Sequence, residues 1–233
     1  MKKHTHIFKH LFLFCLLAMA VAFGNPTGHT TVSAAKKASY KIINKKETKK
    51  RNKLKAKYLY QLPQLKGKSA AVKKINQSLQ EEYEGTLDSK EELFDFFENA
   101  EYSSSYKATF FDTHKCKVTY NQNGYICFKF TSEWYAGGVY NGWEYGLTYR
   151  LKDGKKMEIQ DVLSGSDYKI KKKIASTYAK KISSAGYKSI MRQDCSDFQF
   201  YIKPGKKVVV CFGPYQPMGG NGHTSIELKG KLK

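Results

Sequence analysis

Few side chains in this sequence are equipped for proton or group transfer. Of six histidines, His4, His6, His10 and His29 fall within the first 35 residues, which leaves His114 and His223. Histidine changes charge near neutral pH, so these two are the candidates for general acid–base work. His223, between Gly222 and Thr224 in a glycine-rich stretch, is the better placed to touch a ligand; the alternative is an ordinary loop residue. Asp194 and Asp197 flank Cys195 and can be drawn as an acid pair. Sequence spacing does not set the separation that such a pair needs, and turn acids are the commoner explanation. The chain has no H-E-x-x-H, no C-x-x-C and no G-x-S-x-G, and no cysteine has a histidine partner in sequence. Zinc hydrolysis, structural zinc and serine hydrolysis therefore lack a motif. The expectation is a protein that is not an enzyme and takes no metal or cofactor.

Binding chemistry is better represented. Between Tyr125 and Tyr149 the chain places nine aromatic residues, and an alternating strand turns only half of its side chains toward one core. Most should fill that core. Around Ala136-Gly137-Gly138-Val139-Tyr140-Asn141-Gly142 the glycines permit backbone shapes other residues avoid. Trp134, Tyr135, Tyr140 and Trp143 are nearest this loop and are the candidates for an exposed rim. Their apolar faces and polar tips suit stacking on a sugar or packing against a protein. The expected ligand-binding set is Trp134, Tyr135, Gly137, Gly138, Tyr140, Trp143 and His223.

These residues need a scaffold, and the sequence predicts one of mixed type. At 233 residues, 41% hydrophobic and 14% aromatic, a packed core is expected and wholesale disorder is excluded. Tyr58 to Leu62 is strand-like and stops at Pro63. Ser69 can cap a helix to about Tyr83, with Val72, Ile75, Asn76, Leu79 and Tyr83 on one side. Asp88 with Glu91 resembles a capping box opening a second helix that carries Leu93, Phe94, Phe96 and Phe97. Strands are predicted at Tyr106 to Phe111, Cys116 to Tyr120, Tyr125 to Phe130 and Trp143 to Leu151. Asp153-Gly154 turns the chain into a strand from Met157 to Ile159. A third helix runs from Asp167 to Ser184, with Ile170, Ile174, Tyr178 and Ile182 inward. A hairpin of Phe198 to Ile202 and Val208 to Phe212 and a strand from Thr224 to Leu228 finish the chain. Hairpins and helices in separate blocks predict an α+β fold, an antiparallel sheet with about three helices packed against it.

The N-terminus sets the compartment. Lys2, Lys3 and Lys9 precede an apolar run from Leu11 to Gly24, and Val32-Ser33-Ala34-Ala35 offers a small-residue cleavage site. Residues 1–35 read as a signal peptide, with an uncleaved anchor as the alternative. From Lys36 to Lys57 there are eleven basic residues and one acid, Glu47, so this segment carries +10 of the total +21. Such composition predicts a flexible tether over 36–57, held at anionic wall polymers or serving as a solvated spacer. The folded module is expected over 58–233, with halves at 58–150 and 151–233. Export leaves Cys116, Cys127, Cys195 and Cys211 in an oxidising setting, where four cysteines allow three disulfide connectivities. The local pairing, Cys116 with Cys127 and Cys195 with Cys211, is preferred because each pair flanks a predicted hairpin. A three-residue loop at Gln122-Asn123-Gly124 would instead turn Cys116 and Cys127 to opposite faces, and four buried reduced thiols are the alternative.

Several segments, in order, resemble one known family. Leu62-Pro63-Gln64-Leu65 with Ile75-Asn76, the loop Ala136 to Gly142, Leu151-Lys152-Asp153-Gly154-Lys155 through Ile159-Gln160-Asp161-Val162-Leu163, and Phe200 to Gly220 carry the resemblance. The chain over about 58–233 is similar to the extracytoplasmic module shared by the lysozyme-sensing anti-sigma-V factor and the non-catalytic N-terminal part of a peptidoglycan deacetylase, paired domains of unknown function. The resemblance implies an α+β body that binds outside the cell rather than catalyses. The family's loop histidine position holds Tyr140 here. Lysozyme, itself cationic, is disfavoured as a ligand by like charge. The expected function is an exported, non-enzymatic binding module at the envelope of a Gram-positive-type bacterium, secreted or surface-associated. Its partner would be a wall polyanion or glycan, or a secreted protein, and not nucleic acid. The alternative is a cell-wall-active hydrolase or deacetylase-associated enzyme using His223.

Overall fold

Side-chain alternation builds the first of two sheets. A computed structural model describes residues 37–103, 105–218, 220 and 222–232. The expected leader lies outside the described residues. Strands β1 (Tyr40–Arg51) and β2 (Leu54–Leu65) form an antiparallel hairpin. Helices α1 (Ala70–Glu84) and α2 (Leu87–Asn99) follow. Then come β3 (Ala108–Gln122), β4 (Tyr125–Tyr135) and β5 (Asn141–Arg150). The sheet order is β1-β2-β3-β4-β5, antiparallel except for the parallel pair β2–β3 that the two helices connect. Leu54, Ala56, Tyr58, Tyr60 and Leu62 of β2 and Phe110 of β3 are buried on the face that carries the helices, with Ile126, Phe128 and Phe130 of β4. Ile75 and Leu79 of α1 and Leu93, Phe94 and Phe97 of α2 close that core.

The expected cap of α1 is present, with the Val72 amide donating to Ser69 Oγ at 3.2 Å. Asn76 fixes the same helix to β2, since its side chain bonds both the amide (2.8 Å) and the carbonyl (3.0 Å) of Leu65. Helix α2 starts before the predicted capping box. Thr86 is its N-cap residue and makes no side-chain cap bond, because its hydroxyl instead donates to the Tyr83 carbonyl.

Residues predicted as a mobile tether form strand β1, paired along its whole length with β2. The charge run does not leave the segment mobile, because alternation gives half of the β1 cations partners. Lys45 lies over the Tyr83 ring at 5.6 Å, Lys49 over Phe94 at 4.8 Å and Arg51 over Phe97 at 5.5 Å. Glu47 pairs with Lys90 at 2.7 Å, and Lys49 pairs with Glu98. The aliphatic stems cover apolar surface while the charges meet α2 carboxylates.

The second part begins with α3 (Ile159–Val162), α4 (Asp167–Lys181) and α5 (Tyr187–Arg192). A three-stranded antiparallel sheet follows, β6 (Gln199–Lys203), β7 (Lys207–Phe212) and β8 (Thr224–Lys229), in that order. The class is α+β as predicted, but the described residues form two sheets, one parallel pair and five α-helices. The predicted strand from Met157 to Ile159 reduces to one bridge, Tyr149 to Lys156, and Ile159 opens α3. The second core joins Ile170, Ile174 and Tyr178 of α4 to Val208, Val210 and Phe212 of β7. Strand β6 crosses β5 so closely that a Cβ on Gly146 would come within 2.2 Å of the Phe200 carbonyl oxygen. Among the described residues no helix is long and apolar enough to cross a membrane.

Neither preferred disulfide forms; the four cysteines among the described residues are free. The β3–β4 turn is two residues, Asn123 (φ 52°) and Gly124 (φ 77°), both left-handed as a type I′ turn requires. A register shift between Val118 and Tyr120 then sets Cys116 opposite Phe130 and Cys127 opposite Tyr120. Cys116 faces the helices and Cys127 faces the second sheet, so they cannot bridge. Cys195 is buried after α5 with its Sγ near the Asp167 carbonyl, while Cys211 sits in β7 opposite Gln199.

Candidate functional site

A cleft of about 520 Å³ opens where the α1–α2 turn, strand β5 and the segment after β7 converge. The turn supplies Glu82, Thr86 and Ser89, β5 supplies Trp143, Glu144 and Tyr145, and the third wall is Gly213, Pro214 and Gln216. His114 of β3 forms part of the floor. Behind it runs a row of polar groups in a face that is otherwise apolar. Nε2 of His114 lies 2.8 Å from Asp112 Oδ1, and Nδ1 lies 2.9 Å from Ser132 Oγ. Asp112 Oδ2 accepts from Ser89 Oγ at 2.7 Å. Asp112 and Ser132 have no exposed surface and His114 is 3% exposed. Tyr60 (5.3 Å between ring centroids), Trp143 (5.9 Å) and Tyr58 (6.5 Å) surround the imidazole.

Strand geometry produces this row. Asp112 and His114 are two apart in β3 and so share a face, and the β3–β4 register puts Ser132 opposite His114. Serine, histidine and aspartate side by side are the groups of acyl-transfer enzymes, but here His114 Nε2 and Asp112 Oδ1 only face one another, each buried without a hydrogen-bond partner among the described residues. Here the serine has no surface a substrate can reach, so in this conformation the row orders the core rather than attacks a bond. Other groups in the cleft are held neutral. Burial pushes the Cys211 thiol up to about 12 and raises Tyr145 well above its ordinary value. Tyr58 behind the cleft is also raised by burial, to about 12, against the lowering effect of its 2.9 Å hydrogen bond to Thr86. The carboxylates Glu82 and Glu144 supply the charge at the mouth. Glu144 pairs with Lys129 and lies 3.8 Å from His223 Nε2. Among the described residues no group of three His, Cys, Asp or Glu side chains could hold a metal ion.

The backbone of β5 adds a feature that side chains do not. β5 ends the sheet, and the Thr148 carbonyl accepts from the Met157 amide (2.8 Å) while the Arg150 amide donates to the Lys155 carbonyl (2.9 Å). These even-numbered residues therefore direct their backbone groups away from β4. By the alternation of an antiparallel ladder, Glu144 and Gly146 do the same. Among the described residues their outward N–H and C=O groups have no partner. The large cleft adjoins Glu144, and a second cavity of about 280 Å³ adjoins Gly146; Gln199 lines both.

The expected binding residues divide among four places. Trp143 lines the cleft and His223 stands beside Glu144 at its rim. Trp134 packs into the helix-side core, with its indole nitrogen buried. Tyr135 and Tyr140 flank Phe111 toward the opposite sheet face, at 5.8 Å and 6.3 Å, and the Tyr140 hydroxyl donates to Glu133 at 2.9 Å. Gly137 and Gly138 are exposed at the loop tip, Gly137 against Tyr102. The structure does not bring the set together as one rim. Sequence reasoning missed His114 with Asp112, Ser132 and Ser89. The signal was the alternation Phe110, Asp112, His114, Cys116, a strand pattern carrying a polar pair where apolar residues belong.

No family model and no curated protein matches the chain. Its fold is similar to that of DUF3298 family proteins. A crystal structure of a family member from Bacteroides fragilis superimposes with a TM-score of 0.54 over 84% of this chain and 92% of that one, at 10% identity. A second, from Pseudomonas aeruginosa PAO1, gives a TM-score of 0.50 over 82% and 90%, at 15% identity. At such identity the likeness concerns the fold.

Proposed function

We propose that this chain is an exported, non-catalytic binding module of the bacterial cell envelope, of the kind found in sensor ectodomains, and that it receives an extended segment of a protein ligand along the free edge of β5. The observation that carries the reading is the outward, unpartnered backbone of half-buried Glu144 beside the cleft; two residues on, Gly146 is buried where β6 crosses, and the open stretch ends there. An incoming strand would complete that ladder, with affinity from main-chain bonds and selectivity from the side-chain pockets. Trp143 offers an apolar contact, and Glu82 with Glu144 favour a cationic side chain in the segment. The leader-like N-terminus supports export. The burial of Ser132 supports a binding role over hydrolysis.

The test is selection of extended peptides against the purified chain, followed by amide hydrogen exchange. Binding should slow exchange at Glu144. Glu144→Pro, which deletes the outward N–H and the carboxylate, should weaken binding at least about tenfold more than Glu144→Gln, which keeps the N–H, while circular dichroism stays unchanged for both. Peptides that bind with that amide still exchanging freely would overturn the edge site. A new reducing end or free amine released from peptidoglycan, and abolished by His114→Ala or His223→Ala, would favour the rival enzyme.

A further inference from the structure

The face of the five-stranded sheet opposite the helices is open over β1, β2 and β3, and it is paved with lysine. The pairing register places Lys46 and Lys50 of β1, Lys55 and Lys57 of β2, and Lys115 and Lys117 of β3 on this one face. All six are exposed. Lys115 has Glu133 at 3.7 Å; the other five have no hydrogen bond or ion pair among the described residues. Lys50 and Lys55 are directly opposite one another, and like charges so placed cost stability. Alternate residues along a strand are about 6.8 Å apart and neighbouring strands about 4.8 Å, so the six lysines share one patch, interrupted by Thr48, Leu59, Gln61, Phe111 and Thr113.

We infer that this face docks a linear phosphodiester polymer of the poly(glycerol phosphate) kind. Charge complementarity is the argument, since the patch repels itself until phosphates replace its diffuse counterions. Its cations are all lysines, point charges suited to single phosphates rather than to bidentate recognition. Single-stranded nucleic acid needs aromatic rings interleaved with the cations to stack its bases. Here Phe111 stands beside Lys57 but packs against Tyr135 and Tyr140, and the other residues between the lysines, Thr48, Leu59, Gln61 and Thr113, offer no ring to stack a base. The choice of a wall polymer rests on the export reading above; the phosphate-binding patch does not.

The test is binding of the purified full chain to deacylated poly(glycerol phosphate) across a salt series. Six phosphate contacts on a flexible chain predict a slope of log K against log salt of about −4. The variant Lys46→Gln, Lys50→Gln, Lys55→Gln, Lys57→Gln should lose at least about tenfold in affinity and flatten the slope by about 3. A charge-matched control on α4, Lys169→Gln, Lys172→Gln, Lys173→Gln, Lys180→Gln, should change affinity by less than about threefold, with both variants folded by circular dichroism. Equal losses in the two variants, or none in the first, would overturn the site. Tighter binding of single-stranded DNA of equal charge would overturn the polymer assignment. Cell fractionation reads the export question separately: an intracellular chain that still binds the polymer would overturn export and leave the patch standing.

Discussion

Arg51 and Lys50 are neighbours in β1, yet their surroundings have little in common. Arg51 reaches over Phe97 and donates to the Glu98 carbonyl at 2.8 Å and to the Ala100 carbonyl. Lys50 stands in solvent opposite Lys55. The same contrast holds across the sheet. Its covered side lies under helices that, over residues 70–101, hold nine acids and three lysines, a net of −6. Its open side holds six lysines and one acid, Glu133. A total of +21 is thus the sum of unlike regions, and it says little about which partner a given face accepts. A cationic ligand is not excluded from the helical side by net charge.

The sharpest break in this comparison is volume. Phe130→Ala on the covered side should cost about 3–5 kcal/mol in chemical denaturation, whereas Thr113→Ala on the open side should stay within about 0.5 kcal/mol. Asp112→Ala leaves Ser89 without its buried acceptor and His114 without the carboxylate beside its ring, and should cost about 3 kcal/mol, a loss that an apolar replacement of the whole row would largely remove. Next comes the pair of neighbours. Arg51→Ala should destabilise by about 1 kcal/mol through lost packing and cation–π contact, and Lys50→Ala should be neutral or slightly stabilising. The smallest effect concerns acid. Arg150 holds the Asp153 carboxyl down at about 2 from an ordinary 3.8, through a hydrogen bond to the guanidinium. A depressed carboxyl contributes stability that is full above pH 4 and is lost as pH falls through 2. Asp153→Asn should therefore shift the acid transition only slightly, by less than about 0.5 kcal/mol for so exposed a pair, and should not alter stability between pH 6 and 8.

How much of this was legible in the sequence depended on whether a rule was local. The Ser69 cap, the 3.6-residue stripe through Ile75 and Leu79, and the hairpin about Pro204-Gly205 rest on near neighbours, and each appears where predicted. The tether misreading came from treating a charge run as partnerless, when Tyr83, Phe94 and Phe97 arrive from helices 30 to 50 residues away to cover it. β3 was read as two strands because Asp112, Thr113, His114 and Lys115 are polar. In fact the strand is continuous; Ser132 and Ser89, from two other elements, bond His114 Nδ1 and Asp112 Oδ2, and the remaining nitrogen and oxygen of the pair face one another. Trp143 and His223 were singled out by residue type, but no spacing in the sequence could join them to Glu82 or Gly213.

The position of β1 at the outer margin of its sheet carries one more consequence. A bare strand at a sheet margin invites a second chain to add on, which is how folded proteins seed fibres. On β1 that risk is countered by a fence of lysines, which any approaching copy would have to meet with its own. The opposite margin has no such fence at Glu144, before β6 covers Gly146. The molecule thus discourages self-addition on one flank and leaves a single short stretch hospitable on the other.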